Sequence, residues 1–298
     1  MTSAMPGLPG GERHGPMLDR LRHLHLRARA VVEGLHAGSH RSIRLGRAVE
    51  FADYKPYLAG DSLRDLDWRV LARSDRLVVK RYRAETEVRA TIVFDASADL
   101  GSTPQKWEQA VVLAATLAML FQLDGAPFGL VIGAGDQVPV GILSPRSGSA
   151  HLARVLTALA MVRPAGRAGL ESLFRTVGER LSPRSLVAVV SDFMEEPASW
   201  TDALGALTRR RVDLRALHLY DRGEYELSFD RPLRLLSPET SREEIVDPDA
   251  MRASLAEVAA AYVTDVRNAV LSRRGVHQRV ETADDLGPVL SAFLRGAS

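Results

Sequence analysis

Apolar positions follow two regimes along this chain. From residue 88 onward, short continuous apolar runs alternate with longer stretches of helical spacing. VRATIVFD (88–95) predicts a buried strand that ends in an acid, and KWEQAVVLAATLAMLFQL (106–123) predicts a helix. APFGLVIGAGDQVPVGIL (126–143) predicts two short strands around a Gly-Asp turn. HLARVLTALAMV (151–162) and LESLFRTVGERL (170–181) have helical spacing. SLVAVVSDF (185–193) is a second buried strand, ending in Ser-Asp, followed by a helix over 198–210 and the strand VDLRALHLYD (212–221). Residues 223–249 carry Pro, Ser and Glu and predict small strands or loops. A long helix over 250–274, the strand VHQRVETAD and the helix LGPVLSAFLRG complete the pattern.

Before residue 88 the pattern is looser. Residues 1–16 are rich in Gly and Pro and predict a disordered tail. Leu18, Leu21, Leu24, Val31, Val32 and Leu35 space an amphipathic helix from residue 17 to about 35. A polar basic loop, GSHRSIRLGRA, leads into EFADYKPYLAGDSLRDLDW (50–68), and RLVVKRYRAE is a β-rich run. The expected organisation is a tail (1–16), then a helix and connecting segment packing on the sheet domain (17–87). The α/β domain (88–298) follows, with an insertion at about 223–249. Alternating strands and helices in that last part predict a doubly wound, mostly parallel sheet with helices on both faces and an N-terminal extension.

Composition narrows the class. Hydrophobic residues are 46% and charged residues 26%, as in an ordinary globular protein. The absence of Cys excludes disulfides, thiolate zinc sites and Cys nucleophiles, and fits a reducing compartment. The longest apolar run, VVLAATLAMLF (111–121), is too short for a membrane span, and no apolar leader opens the chain. A cytoplasmic protein is expected. The net charge of +2 conceals an asymmetry: residues 1–87 carry 16 Lys+Arg against 11 Asp+Glu. Interleaved acids and the lack of an array of stacking aromatics favour a solvated Arg-rich face over a nucleic-acid surface.

Chemistry is expected where strands end, because open α/β sheets bind ligands at their carboxyl edge. One strand runs into Asp95, Ser97 and Asp99, and another into Ser191 and Asp192. A Ser-Gly-Ser turn, 147–149, precedes a helix between them. Hydroxyls and carboxylates are hard oxygen ligands suited to Mg²⁺, or to Mn²⁺ or Ca²⁺. The structural alternative is that Asp95 caps a turn, Ser97 bonds to backbone and Asp192 opens a loop.

The strand-end D-x-S run with a later strand-end Asp resembles the metal-ion-dependent adhesion site of von Willebrand factor A domains. A longer stretch is more specific. Gly46, Glu50, Phe51, Tyr54, Pro56, Tyr57, Gly60, Asp61, Arg64, Asp67, Trp68, Arg73 and Tyr82 resemble the signature of the bacterial domain-of-unknown-function 58 family. The resemblance implies a von Willebrand factor A-like fold and a non-enzymatic adaptor that works with a MoxR-type AAA+ ATPase and a client protein. It implies a divalent cation held by Asp95, Ser97, Asp99 and Asp192. Ser149 is the first counterpart of the family's loop Thr and Ser147 the second. Asp99 departs from the pattern, which has a hydroxyl there.

Three surfaces are candidates for the partner: the strand-end edge, the segment with Asp61, Arg64, Asp67 and Trp68, and the basic loop with Arg41, Arg44 and Arg47. Ser62 to Asp65 fit a capping box, and Phe51, Tyr54, Tyr57 and Trp68 have the bulk to anchor the segment. No small-molecule substrate is expected, since neither a G-x-S-x-G elbow nor a P-loop occurs. The enzymatic alternative is a metal-dependent phosphohydrolase with Asp95 as nucleophile. It lacks an acid two residues on, where Ser97 stands, and has no Lys evidently placed for a phosphoryl group. Nucleic-acid binding through the basic N-terminal third is the other alternative. His151, His218 and His277 are isolated in sequence and are expected to be structural.

Overall fold

The structure, a computed structural model, describes residues 15–38, 51–57, 67–74, 76–82, 88–135, 139–167, 169–209, 212–226, 233–236, 243–246 and 248–295. The chain forms two compact units. Residues 44–88 make the smaller one, and all other residues belong to the larger.

In the small unit, strand β1 (Phe51–Pro56) pairs antiparallel with β2 (Val78–Tyr82), Tyr54 lying opposite Lys80. Between them lies the short helix α2 (Trp68–Ser74). Its cap is Asp67, whose Oδ1 accepts the amides of Arg69 at 2.9 Å and Val70 at 3.3 Å. These are the orphan donors an N-cap aspartate satisfies. The Ser62–Asp65 capping box, with Asp61 and Arg64, lies outside the described residues, as do Arg41, Arg44 and Arg47. Trp68 is 63% exposed and Tyr54 is also largely exposed, while Asp67 is buried.

The large unit holds a six-stranded sheet built from β3 (Ala90–Asp95), β4 (Phe128–Gly133), β5 (Gly141–Arg146), β6 (Leu186–Ser191), β7 (Asp213–Tyr220) and β10 (Val276–Glu281). The order is β10-β7-β6-β3-β4-β5. All neighbours are parallel except β5, which runs antiparallel to β4. The expected mostly parallel α/β sheet is therefore present. β3 and β6 are its central pair, with Ala90 beside Leu186 and Phe94 beside Val190. Every residue of both strands is buried, as parallel strands covered on both faces require.

The helices divide between the faces. Val93, Val187 and Val189 point into a core with α5 (Leu170–Arg180), α6 (Pro197–Thr208) and Val266 and Val270 of α8 (Pro248–Ser272). By strand alternation, Ile92 and Phe94 face the other layer, where the Phe94 ring meets Trp107 of α3 (Pro104–Leu123) edge-on at 5.6 Å. Residues 109–121 of α3 are all buried because α1 (Gly15–Gly38) and α4 (Ser149–Met161) pack against it on the side away from the sheet. That double cover explains why VVLAATLAMLF is apolar all round. In α1 the inward stripe is Leu24, Ala28, Val32 and Leu35, whereas Leu18 is exposed. α1 also meets α9 (Leu286–Arg295), so this helix belongs to the sheet unit and not with residues 44–88. Within the expected insertion, the described parts are α7 (Arg222–Glu226) and the antiparallel pair β8 (Leu233–Leu236) and β9 (Glu243–Val246).

Candidate functional site

β3 connects toward β4 on one side, while β6 lies on the other. The carboxyl ends of β3 and β6 therefore flank the point where the winding reverses, the usual position of a site in such sheets. Asp95 and the Ser191-Asp192 pair meet there. Asp95 Oδ1 accepts the Ser97 amide at 2.7 Å, and Oδ2 accepts the Ser191 hydroxyl at 2.6 Å. Ser191 Oγ in turn accepts the Phe193 amide at 2.8 Å. Ser97 Oγ accepts the Leu100 amide at 3.2 Å, tightening the turn after β3. That turn bonds to the loop before α5, from Ala98 N to Gly166 O at 2.8 Å and from Ala165 N to Ala96 O at 2.9 Å. Approach is so close that a Cβ on Gly101 would lie 2.3 Å from Pro164 Cβ.

The centre of the cluster is a lysine. Thr103 caps α3 by accepting the Lys106 amide at 3.2 Å, with Pro104 at the first helical position. The cap turns the Lys106 side chain inward, where it is only 1% exposed. Its Nζ lies 2.7 Å from Asp192 Oδ2 and 2.9 Å from Glu224 Oε2, and donates to the Asp99 carbonyl at 3.2 Å. Burial alone would push the ammonium's pKa down, but the charges of Asp192 and Glu224 outweigh it and hold the group above the usual lysine value. Glu224 sits in α7, where it also accepts the Ser102 hydroxyl. Nearby, Asp221 accepts the Thr103 hydroxyl at 3.2 Å.

Asp95 has the opposite surroundings. Burial, then the negative charge of Asp192, raise its carboxyl from the ordinary value to about 7, against the lowering effect of its hydroxyl and amide donors. Beneath it on β7, His218 lies in register with Ser191, and its Nδ1 is 3.0 Å from Nε2 of His277 on β10. Burial first, then His277 and Lys106, push His218 down to about 3; burial and the arginines Arg267 and Arg279 push His277 down to about 4. The histidines isolated in sequence are thus a neutral contact pair beside the cluster. His151 is elsewhere, bonded to the Phe128 carbonyl at 2.7 Å.

The structure brings Asp95, Ser97, the Asp99 backbone and Asp192 together, but not Ser149. β5 is antiparallel, so Arg146 lies beside Phe128, at the amino edge of the parallel strands. Ser147 and Ser149 follow it there, roughly 17–20 Å along a six-residue strand from the Asp95 edge. The segment that does approach the Asp95 turn, RPAGRAG (163–169), contains no hydroxyl. Sequence reading missed Lys106, Glu224 and Asp221; a lysine does stand at this edge, but its ammonium is buried against Asp192 and Glu224 and not open to a phosphoryl group. A lysine in the first turn of a helix opposes the helix dipole, and that misfit was the available signal.

As arranged, these residues do not fit a divalent ion. Both Asp95 oxygens accept a hydrogen bond, Asp192 Oδ2 accepts none but has the Lys106 ammonium 2.7 Å away, and among the described residues no group of three or more His, Asp or Glu could hold a metal. The cluster is also closed, Asp95 and Asp192 each being 1% exposed. It clamps together the ends of β3 and β6, α7 and the start of α3.

Fold and site define a mostly parallel α/β domain with a buried ionic cluster at its carboxyl strand edge. More narrowly, the chain belongs to the family described as Protein of unknown function DUF58, which matches residues 53–265. It is 28% identical over 277 residues to the uncharacterized protein Rv1480 of Mycobacterium tuberculosis, covering 89% of this chain and 85% of that protein. The uncharacterized protein Mb1516 of Mycobacterium bovis matches equally. Among solved structures it is similar to the conserved hypothetical protein BatB of Bacteroides thetaiotaomicron, with TM-score 0.42, 15% identity, and coverage of 68% of this chain and 95% of that one. It is also similar to mussel-byssus proximal thread matrix protein 1 with a zinc-occupied MIDAS motif, with TM-score 0.34, 17% identity, and coverage of 45% and 36%. Among the described residues, no helix is long and apolar enough to cross a membrane.

Proposed function

We propose that the chain is a non-enzymatic adaptor whose carboxyl strand edge docks a protein partner. Following the family resemblance, that partner is a MoxR-type AAA+ ATPase acting on a client protein. The observation supporting this reading is the closed state of the cluster. Asp95 is buried with a hydrogen bond on each oxygen, and the Lys106 ammonium, also buried, donates to Glu224 and to the Asp99 carbonyl and pairs with Asp192. A phosphohydrolase needs both groups open to substrate. What remains at the edge is a shaped surface, on which Met194 is 43% exposed and Glu196 is exposed. The resemblance alone would bridge the partner through Mg²⁺, Mn²⁺ or Ca²⁺; the engaged carboxylates favour direct contact.

The test is pull-down of a MoxR-type AAA+ ATPase by the full chain and by Met194→Asp, each with EDTA and with Mg²⁺. Binding by the wild type in both conditions, weakened about tenfold in Met194→Asp, is expected. Equal binding by wild type and variant removes this edge as the docking surface. Binding only with Mg²⁺ restores the metal bridge.

A further inference from the structure

We propose that Lys106 is the resident cation of the strand-edge site, a tethered ammonium in the place where the acids would otherwise gather a divalent metal. This rests on the geometry of the cluster and not on the identity of any partner. An ammonium has three N–H donors. Here they go to both oxygens of Glu224, at 3.0 and 2.9 Å, and to the Asp99 carbonyl at 3.2 Å, while Asp192 Oδ2 stands 2.7 Å from the ammonium as its ion-pair partner.

Nothing local explains a buried cation at this point. It lies in the first turn of α3, the end where the helix dipole repels positive charge, and it is removed from water. Only the acids delivered by β6 and α7 compensate it. Those acids come 86 and 118 residues later in the chain. A divalent ion bound to Asp192 Oδ2 would sit about 2.0–2.6 Å from that oxygen, and so within roughly 5 Å of the ammonium that shares it, in a site removed from water. The two cations exclude each other.

The consequence is a site whose charge balance is permanent. The loops after β3 and β6 and the start of α7 are held by a covalently attached cation, whatever the divalent-ion concentration. Removing the ammonium should expose the latent metal site, because Asp192 and Glu224 then face one another without a counter-charge.

The experiment uses the full chain with Mn²⁺ as probe, followed by paramagnetic resonance of the free ion and by thermal melting. The wild type is expected to take up no stoichiometric Mn²⁺ and to melt within about 1 °C in EDTA, Mg²⁺ and Mn²⁺. Lys106→Ala is expected to melt lower, to take up one Mn²⁺ per chain and to regain melting temperature with it. Stoichiometric uptake by the wild type that disappears in Asp192→Asn overturns the proposal. So does a folded Lys106→Ala chain that takes up none. If Lys106→Ala does not fold, the wild-type titration decides alone. No partner is present, so the outcome is independent of the pull-down.

Discussion

Asp67 in the small unit and Asp95 in the sheet unit make the same pair of hydrogen bonds. Each accepts, on Oδ1, the amide two residues ahead, from Arg69 and Ser97 respectively. Each accepts a hydroxyl on Oδ2, from Tyr54 and Ser191. Both are buried. They differ in how far away the rest of the environment originates. Tyr54 is 13 residues from Asp67, across a local hairpin-like unit. Ser191 is 96 residues from Asp95, and it brings Asp192 with it. Deep burial first, and then the charge of that second carboxylate, turn a turn-capping aspartate into one whose proton is retained to about pH 7. The same local device is structural in one place and electrostatic in the other, and only the neighbours delivered by the fold decide which.

Truncation should separate the two most strongly. Asp95→Ala leaves the Ser97 amide and the Ser191 hydroxyl buried without an acceptor, a loss of about 3 kcal/mol in global stability by urea unfolding. Asp67→Ala removes one cap and is expected to cost about 1 kcal/mol, read as faster hydrogen exchange confined to α2. Equal, global losses would erase the distinction.

Titration gives the next largest contrast. The Asp95 carboxyl is raised in the folded state, so its contribution to stability is complete below pH 4 and is lost as pH rises toward 7. His218 and His277 are depressed, so theirs is complete above about pH 6.5 and is lost as pH falls. Between these limits the signs oppose, two histidines against one aspartate. Wild-type stability should therefore decline gently on acidification from pH 6.5 to 4. Asp95→Asn removes the opposing group and should steepen the decline; an unchanged slope would show that Asp95 titrates normally. The smallest effect belongs to Ser149→Ala. At the opposite sheet edge it should leave stability within about 0.5 kcal/mol and leave ATPase pull-down unchanged.

Much of the α/β pattern was legible because each element carries its own signal. The apolar run of β3 ending in Asp95, the fully apolar α3 and the Ser-Asp end of β6 lie where periodicity and punctuation put them. In α2, by contrast, the described helix begins at Trp68 under an Asp67 cap, a register local pattern alone did not single out. Ser149 was misplaced for a different reason. Its turn has the right composition before a helix, but whether it emerges at the carboxyl or the amino edge depends on the direction of β5, and an edge strand of GILSPR carries no mark of direction.

By itself, then, the sequence determined the alternation of strands and helices, the acids at the ends of β3 and β6 and the marker segment around Asp67, because these depend on side-chain period and local capping. Tertiary structure alone decided that Asp95 and Asp192 stand side by side, that Ser149 faces away, and that Lys106 closes on Asp192 and Glu224. Those are long-range electrostatic pairings. Their partners are fixed by strand order and direction, which no local run of residues encodes.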